Sequence, residues 1–344
     1  MTTYTIPSTA RYPMFRGDRV IEFIDKEVPG PGPGQLLIRC KANALCASDF
    51  GQYYHGAPIT PGHEGAGVVA DAGPDTTTGV GTAGAIFLMD FCGDCRSCSQ
   101  GITNQCLNKR ADYGFSHDGG YGPYTLVNEN VFFPVGGDMG PAEATLLLDV
   151  MGTGGHAVSR ADRAHPDEQS LLVTGAGPIG LGVLSMAKLI LGHDFPVLIT
   201  DMVDYRLDLA ETLGGLPINI EKESLQSGLG RCGYPRVDMT IDTSGVTAAR
   251  RGALDALDTR GVQVCVGHGG ELPLEVSPDL ISTERTVMGS EYFCYNELVE
   301  NLERLKRNRE YMGQIITHCY SVEEISEAYH TFIGKQSGKV VVVQ

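Results

Sequence analysis

The rhythm of apolar and polar positions changes part-way along the chain. Up to about Val150 the apolar residues come in short runs set between turn-forming residues. Gln35–Ala44 (QLLIRCKANA) partly alternates apolar and polar side chains and follows the Pro-Gly repeat of residues 29–34. Similar runs occur at 67–70 and 124–135. This pattern predicts a β-rich unit whose loops are long enough to carry sites. From Ser170 onward strand-like and helix-like patterns alternate. Apolar runs at Leu171–Thr174, Val197–Asp201, Val237–Asp242 and 262–267 are separated by helical patterns starting at Pro178, Tyr205 and near Ala248. Alternation of that kind predicts a parallel sheet with helical crossovers. Beyond about Gly289 the pattern predicts helices at 296–307 and 322–329 and a last strand at Lys339–Val343. Periodicity leaves open which unit holds this tail.

At 344 residues the chain exceeds one ordinary hydrophobic core and suits two domains. The mean hydropathy of -0.07 is that of a globular protein. The 45 glycines show no triplet repeat, which excludes collagen and assigns them to turns and close backbone approaches. A net charge of -16 without a basic patch argues against nucleic acid and anionic membranes as partners. The best apolar stretch, 178–191, is too short to span a bilayer and contains Lys188. The N-terminal stretch lacks the apolar centre of a signal peptide, so the expected location is the cytoplasm. In that compartment the ten cysteines are thiols rather than disulfides. Cys40, Cys232, Cys265, Cys294 and Cys319 are scattered and read as small buried hydrophobes.

Cys92, Cys95, Cys98 and Cys106 are different, because four thiolates within fifteen residues can enclose one tetrahedral zinc. Four sulfurs fill the coordination sphere, which makes such a site structural; an iron–sulfur cluster is the rival occupant. Cys46 and the pair His63-Glu64 hold a thiol, an imidazole and a carboxylate. Taken singly, Cys46 is as readily a core thiol and His63 a satisfied histidine. Together they have the donor types of a catalytic zinc with one open position. A third motif follows the strand Leu171–Thr174: Gly175, Gly177 and Gly180, with Pro178 and Ile179 opening the next helix. Glycines so placed make the tight turn, admit a pyrophosphate and let helix pack on strand. The acid expected to meet the ribose hydroxyls is Asp201, at the end of the next strand; a helix cap is its other reading. Arg206 lies about one turn further on.

This combination resembles the zinc-dependent medium-chain dehydrogenases, the alcohol, sorbitol and threonine dehydrogenases, over essentially the whole chain. Its parts are Cys46-x-Ser48-Asp49, Gly62-His63-Glu64, the four-cysteine lobe, Gly119-Gly120 and the glycine loop. The resemblance implies an α/β protein. A GroES-like, β-rich catalytic domain would comprise 1–151 and 290–344, and a doubly wound Rossmann domain 152–289. It implies two zinc ions per chain and NAD rather than NADP. Asp149 matches the aspartate that binds zinc in bacterial secondary alcohol dehydrogenases, so the implied ligands are Cys46, His63 and Asp149, with Glu64 beside them; a helix cap is the alternative for Asp149. Thr243 and Val266 match contacts on the nicotinamide side.

The implied reaction is oxidation of a secondary alcohol to a ketone, with Ser48 taking the hydroxyl proton. Many relatives carry a histidine five residues after the zinc cysteine; here Gly51 stands there, and His55 is the expected substitute, with Tyr54 or water as the alternatives. Tyr53, Tyr54, His55, His117 and Glu291 are candidates for the substrate pocket. Their polarity suits a polyol, sugar, cyclitol or amino-alcohol. The alternatives are a dismutase with permanently held nucleotide and a simple alcohol or aldehyde reductase. A homodimer or homotetramer is implied as well.

Overall fold

The computed structural model describes residues 5–166 and 168–344; residues 1–4 of the expected first domain, and Asp167, lie outside them. Two sheets organise the chain. Six parallel strands run in the spatial order Leu216–Asn219, Val197–Asp201, Leu171–Thr174, Val237–Asp242, Leu257–Cys265 and Thr286–Gly289. This is the doubly wound order, in which the chain reverses direction beside the first strand. Leu171–Thr174 is buried along its full length. Covering by helices on both faces explains its unbroken apolar sequence. The helix Pro178–Ile190 is apolar on nearly all sides because it is buried from Gly180 to Lys188.

The second sheet has seven strands built around Gln35–Ala44, which pairs antiparallel with Glu64–Ala72, Tyr124–Asn128 and Lys339–Val343. Ile316–Ser321 then adds parallel to Lys339–Val343. The tail strands therefore belong to the β-rich sheet. A continuous apolar core joins the two sheets, from Leu36 and Phe87 through Leu146 and Val150 to Val173 and Leu184.

Several elements differ from the sequence expectation. An antiparallel hairpin, Thr9–Gly17 with Val20–Glu27, precedes the first expected strand. A short strand, Leu216–Asn219, occupies an edge of the parallel sheet. The run 124–135 is broken by a helical turn at Glu129–Val131. The helix expected at 322–329 begins as a tight turn, Val322–Glu324, because Ser321 and Glu324 form a capping box; the α-helix proper is Ile325–Ile333. Cys319, expected to be buried, is exposed. Among the described residues no helix is long and apolar enough to cross a membrane.

Candidate active site

Strand pairing brings the first two candidate ligands together. Ala44 and Glu64 are directly opposed across two antiparallel strands. Cys46, just past the end of one, and His63, just before the other, therefore emerge side by side. Asp149 comes from the far side, on a π-helical turn, Asp149–Thr153, that leads into the helix Gly154–Ala164. Such turns are uncommon and concentrate at functional sites. One donor atom each from Cys46, His63, Glu64 and Asp149 lies within 4.8 Å of the others. His63 Nε2 is 3.5 Å from Asp149 Oδ2, while its Nδ1 is 2.9 Å from Asp49 Oδ1.

Asp49 is fully buried and also accepts from Tyr121 Oη at 2.9 Å and Tyr329 Oη at 3.2 Å. The imidazole is thus fixed at one nitrogen and presents the other, the arrangement by which outer groups orient a metal-binding histidine. Burial opposes a charged His63, but Asp49 and Asp149 outweigh it and hold the proton affinity well above the usual range. Burial, followed by the Asp149 charge, raises the Cys46 thiol. Glu64 is buried and paired through Oε1 with the buried Lys339; its Oε2 has no partner. Burial lowers the Lys339 proton affinity, but the neighbouring Glu64, Cys46 and Asp149 outweigh it and raise it.

This donor set suits zinc. It offers one sulfur, one nitrogen and carboxylate oxygens around a common point, with an unpartnered carboxylate oxygen beside it. The four-cysteine lobe fits as well. Sulfur separations are 3.5 Å for Cys92–Cys106 and Cys95–Cys98, and 3.9 Å for Cys92–Cys98 and Cys95–Cys106. A tetrahedron with Zn–S of about 2.3 Å has edges of about 3.8 Å. Backbone N–H groups already point at these sulfurs: Leu107 donates to Cys95, Cys95 to Cys92 and Cys92 to Cys106. N–H groups of Cys98 and Leu107 push the Cys95 thiol down to about 6.

The glycine loop lies at the point where the strand order reverses. Gly175 takes φ of +93°, which a side chain would disfavour, and a Cβ on Gly180 would collide with the Gly175 carbonyl. A Cβ on Gly177 would instead project into the open cleft, with Arg206 Nη1 the nearest atom at 3.8 Å. That cradle fits a pyrophosphate at the helix N-terminus. Asp201 Oδ2 accepts from the Ala176 N–H, and Oδ1 from those of Met202 and Val203, so the carboxylate bridges the glycine loop and the turn that enters the next helix. The facing loop is held by Asp242, which accepts from Thr174, Ser244 and Arg250.

Two cavities meet between these parts. One of about 510 Å³ is lined by Gly175, Gly177, Pro178, Ile179, Gly180, Asp201 and Arg206. The other, about 560 Å³, is lined by Ser48, His63, Asp149, Val266 and Glu291. Cys46, Ile179 and Thr243 line both, forming the wall between them. Two family models match: the alcohol dehydrogenase GroES-like domain over residues 32–137 and the zinc-binding dehydrogenase over 178–307. The chain belongs to the zinc-binding alcohol dehydrogenases. An uncharacterised zinc-type alcohol dehydrogenase-like protein of Escherichia coli K12 is 27% identical, over 95% of this chain and 96% of its own. An L-threonine 3-dehydrogenase of Deinococcus deserti is 29% identical, over 94% and 95%. An alcohol dehydrogenase of Escherichia coli CFT073, solved with NADH, superposes with a TM-score of 0.88 at 22% identity, covering 98% of this chain and all of its own.

Not every candidate of this dehydrogenase reaches the site. The helix Phe50–His55 turns Tyr53 into an aromatic cluster with Phe15 and Tyr329, which leaves His55 exposed at its last position, lining neither cavity. His55 as the relay is therefore corrected. Tyr53 is buried away from the pocket, Tyr54 lies against Arg19, and His117 opens on a separate cavity beside Tyr113 and Asp118. Of the substrate-pocket candidates, Glu291 alone lines the cavity at Ser48. Sequence reading missed Phe115, stacked on His63 at 4.9 Å, along with Tyr292, Thr153 and the pairing of Lys339.

Proposed function

We propose that this enzyme oxidises a secondary alcohol bearing a second polar group, a polyol, sugar, cyclitol or amino-alcohol, to the ketone with NAD. The observation that carries the reading is the shared wall: Cys46, Ala47, Ile179, Thr243 and Ser244 line both the cavity that holds His63 and Asp149 and the glycine-loop cleft. Zinc at Cys46, His63 and Asp149 would supply the Lewis acid that acidifies a hydroxyl, and NAD along the glycine loop would supply the hydride acceptor.

The chain's own residues do the rest. Ser48 Oγ, 2.9 Å from Cys46 Sγ and exposed to the cavity, takes the substrate's proton and passes it to water at the mouth. Glu64 lies near enough to exchange into the ligand set, and Lys339 holds it in waiting. Cys92, Cys95, Cys98 and Cys106 hold the structural zinc. Asp201 takes the ribose hydroxyls and repels a 2′-phosphate, Arg206 faces the pyrophosphate, and Thr243 and Val266 flank the nicotinamide.

The substrate preference rests on the pocket lining. Hydroxyls of Thr153 and Ser290 there lack protein partners, and Glu291 stands at the rim. A buried hydroxyl without a partner costs about 1–3 kcal/mol, which a polar substrate group would relieve. The relative named for threonine agrees with an amino-alcohol. Residues 1–151 with 290–344 form the catalytic domain and 152–289 the nucleotide domain in this reading, in a cytoplasmic homodimer or homotetramer. The test is NADH release on a panel pairing 2-butanol with 2,3-butanediol, threonine and cyclic polyols. Higher kcat/KM for members with the second polar group supports the reading. Equal or better turnover of 2-butanol removes the substrate preference, and no NADH from any member removes the reaction.

A further inference from the structure

We propose that His156, Cys294 and Glu297 form a third metal site of zinc type, apart from the catalytic and four-cysteine sets. His156, on the helix Gly154–Ala164, and Cys294 are 6% and 7% exposed. Glu297 opens the helix Glu297–Arg307 and is half-buried. One donor atom of each lies within 4.8 Å of the others. His156 Nδ1 is 2.8 Å from Glu297 Oε1, and Cys294 Sγ is 3.2 Å from Asn104 Oδ1. Asn104 donates through Nδ2 to the Glu291 carbonyl at 2.6 Å, which turns its amide oxygen toward the thiol.

A His–Glu hydrogen bond with a nearby buried thiol explains each contact singly. It does not explain why a nitrogen, a sulfur and a carboxylate from two separate segments converge on one point, with an amide oxygen from a third beside the sulfur. Three of these are zinc's usual donors, and the sulfur disfavours magnesium and calcium. The group borders a cavity of about 870 Å³, which supplies an entry path. An ion there would clamp segment 291–297 between the helix Gly154–Ala164 and the cysteine lobe. That segment carries Tyr292, a pocket residue held at φ of +46°, where bulky side chains are rare. The site is thus a brace for one wall of the pocket, and its existence does not depend on the proposed substrate.

The test is metal content of the full-length protein saturated with zinc and freed of loose metal, together with NMR of the cadmium-substituted form. Three ions per chain and three cadmium resonances are expected. Glu297→Gln, at a half-exposed position, should lose one ion and one resonance, and Cys294→Ser the same ones. Circular dichroism checks that each variant remains folded; if Cys294→Ser unfolds, Glu297→Gln decides. Two ions and two resonances in folded wild type overturn the proposal, as does a third ion that persists in Glu297→Gln.

Discussion

At the scale of single residues, the site depends on how a few buried polar atoms are paired. Asp149 faces His63 across 3.5 Å, and its carboxyl is held below the usual range by His63 despite the opposing effect of burial. Asp149→Asn keeps the size and removes the charge. Turnover should fall by about ten- to a hundred-fold, through weaker metal binding, with little change in Tm; kcat and zinc content on one preparation check this. Ser48 Oγ lies 2.9 Å from Cys46 Sγ in the cavity lining, so Ser48→Ala should cost roughly 10²–10⁴ in kcat. His55→Ala should leave the pH–rate profile unchanged, since that side chain lies on the surface. A profile that shifts in His55→Ala would show that the proton leaves by that route after all.

At the scale of elements, the strands that were legible are those buried over all or nearly all of their length, such as Leu171–Thr174 and the run of valines at Lys339–Val343. The hairpin Thr9–Glu27 was not, because its second strand alternates with charges and its turn holds Asp18 and Arg19, next to Gly17, at positive φ. Leu216–Asn219 escaped because Pro217 argues against a strand, yet an edge tolerates it. Cys46, His63 and Glu64 were legible as a set of donor types, whereas Asp149, 85 residues on, came only through the family resemblance. Their supports were not, since Tyr121 and Tyr329 reach Asp49 from 72 and 280 residues away. The glycine loop was legible to the residue, and its acid tests it. Asp201→Ser loses a charged partner for the ribose and ends repulsion of a 2′-phosphate. The preference for NAD over NADP should narrow by a few-fold to a hundred-fold, on the order of 1–3 kcal/mol. The ratio of kcat/KM for the two nucleotides measures it, and a wild type that prefers NADP would remove Asp201 from the ribose.

At the scale of the whole molecule, the cysteine lobe joins parts that share no sheet. It has little apolar content of its own: Ile102 is 40% and Leu107 68% exposed. Its order therefore comes from the sulfur cage and from hydrogen bonds outward. Thr103 Oγ1 accepts from the Tyr295 N–H at 2.8 Å, and Asn104 grips the Glu291 carbonyl. Those partners bound the segment that carries Tyr292 and one wall of the cavity at Ser48. Removing one cage ligand should then be felt at the active site, although no cage residue lines it. Cys95→Ser should lower Tm by about 5 °C or more, taking roughly 2–4 °C per kcal/mol for a domain of this size. It should also raise KM for the alcohol more than KM for NAD, because Thr103 and Asn104 anchor the substrate side alone. Hydrogen exchange should rise at 290–297, which lies in neither sheet, and stay unchanged along Leu171–Thr174, buried inside the parallel sheet. Faster exchange in both segments together would mean that the lobe stabilises the molecule as a whole and does not act through the pocket wall.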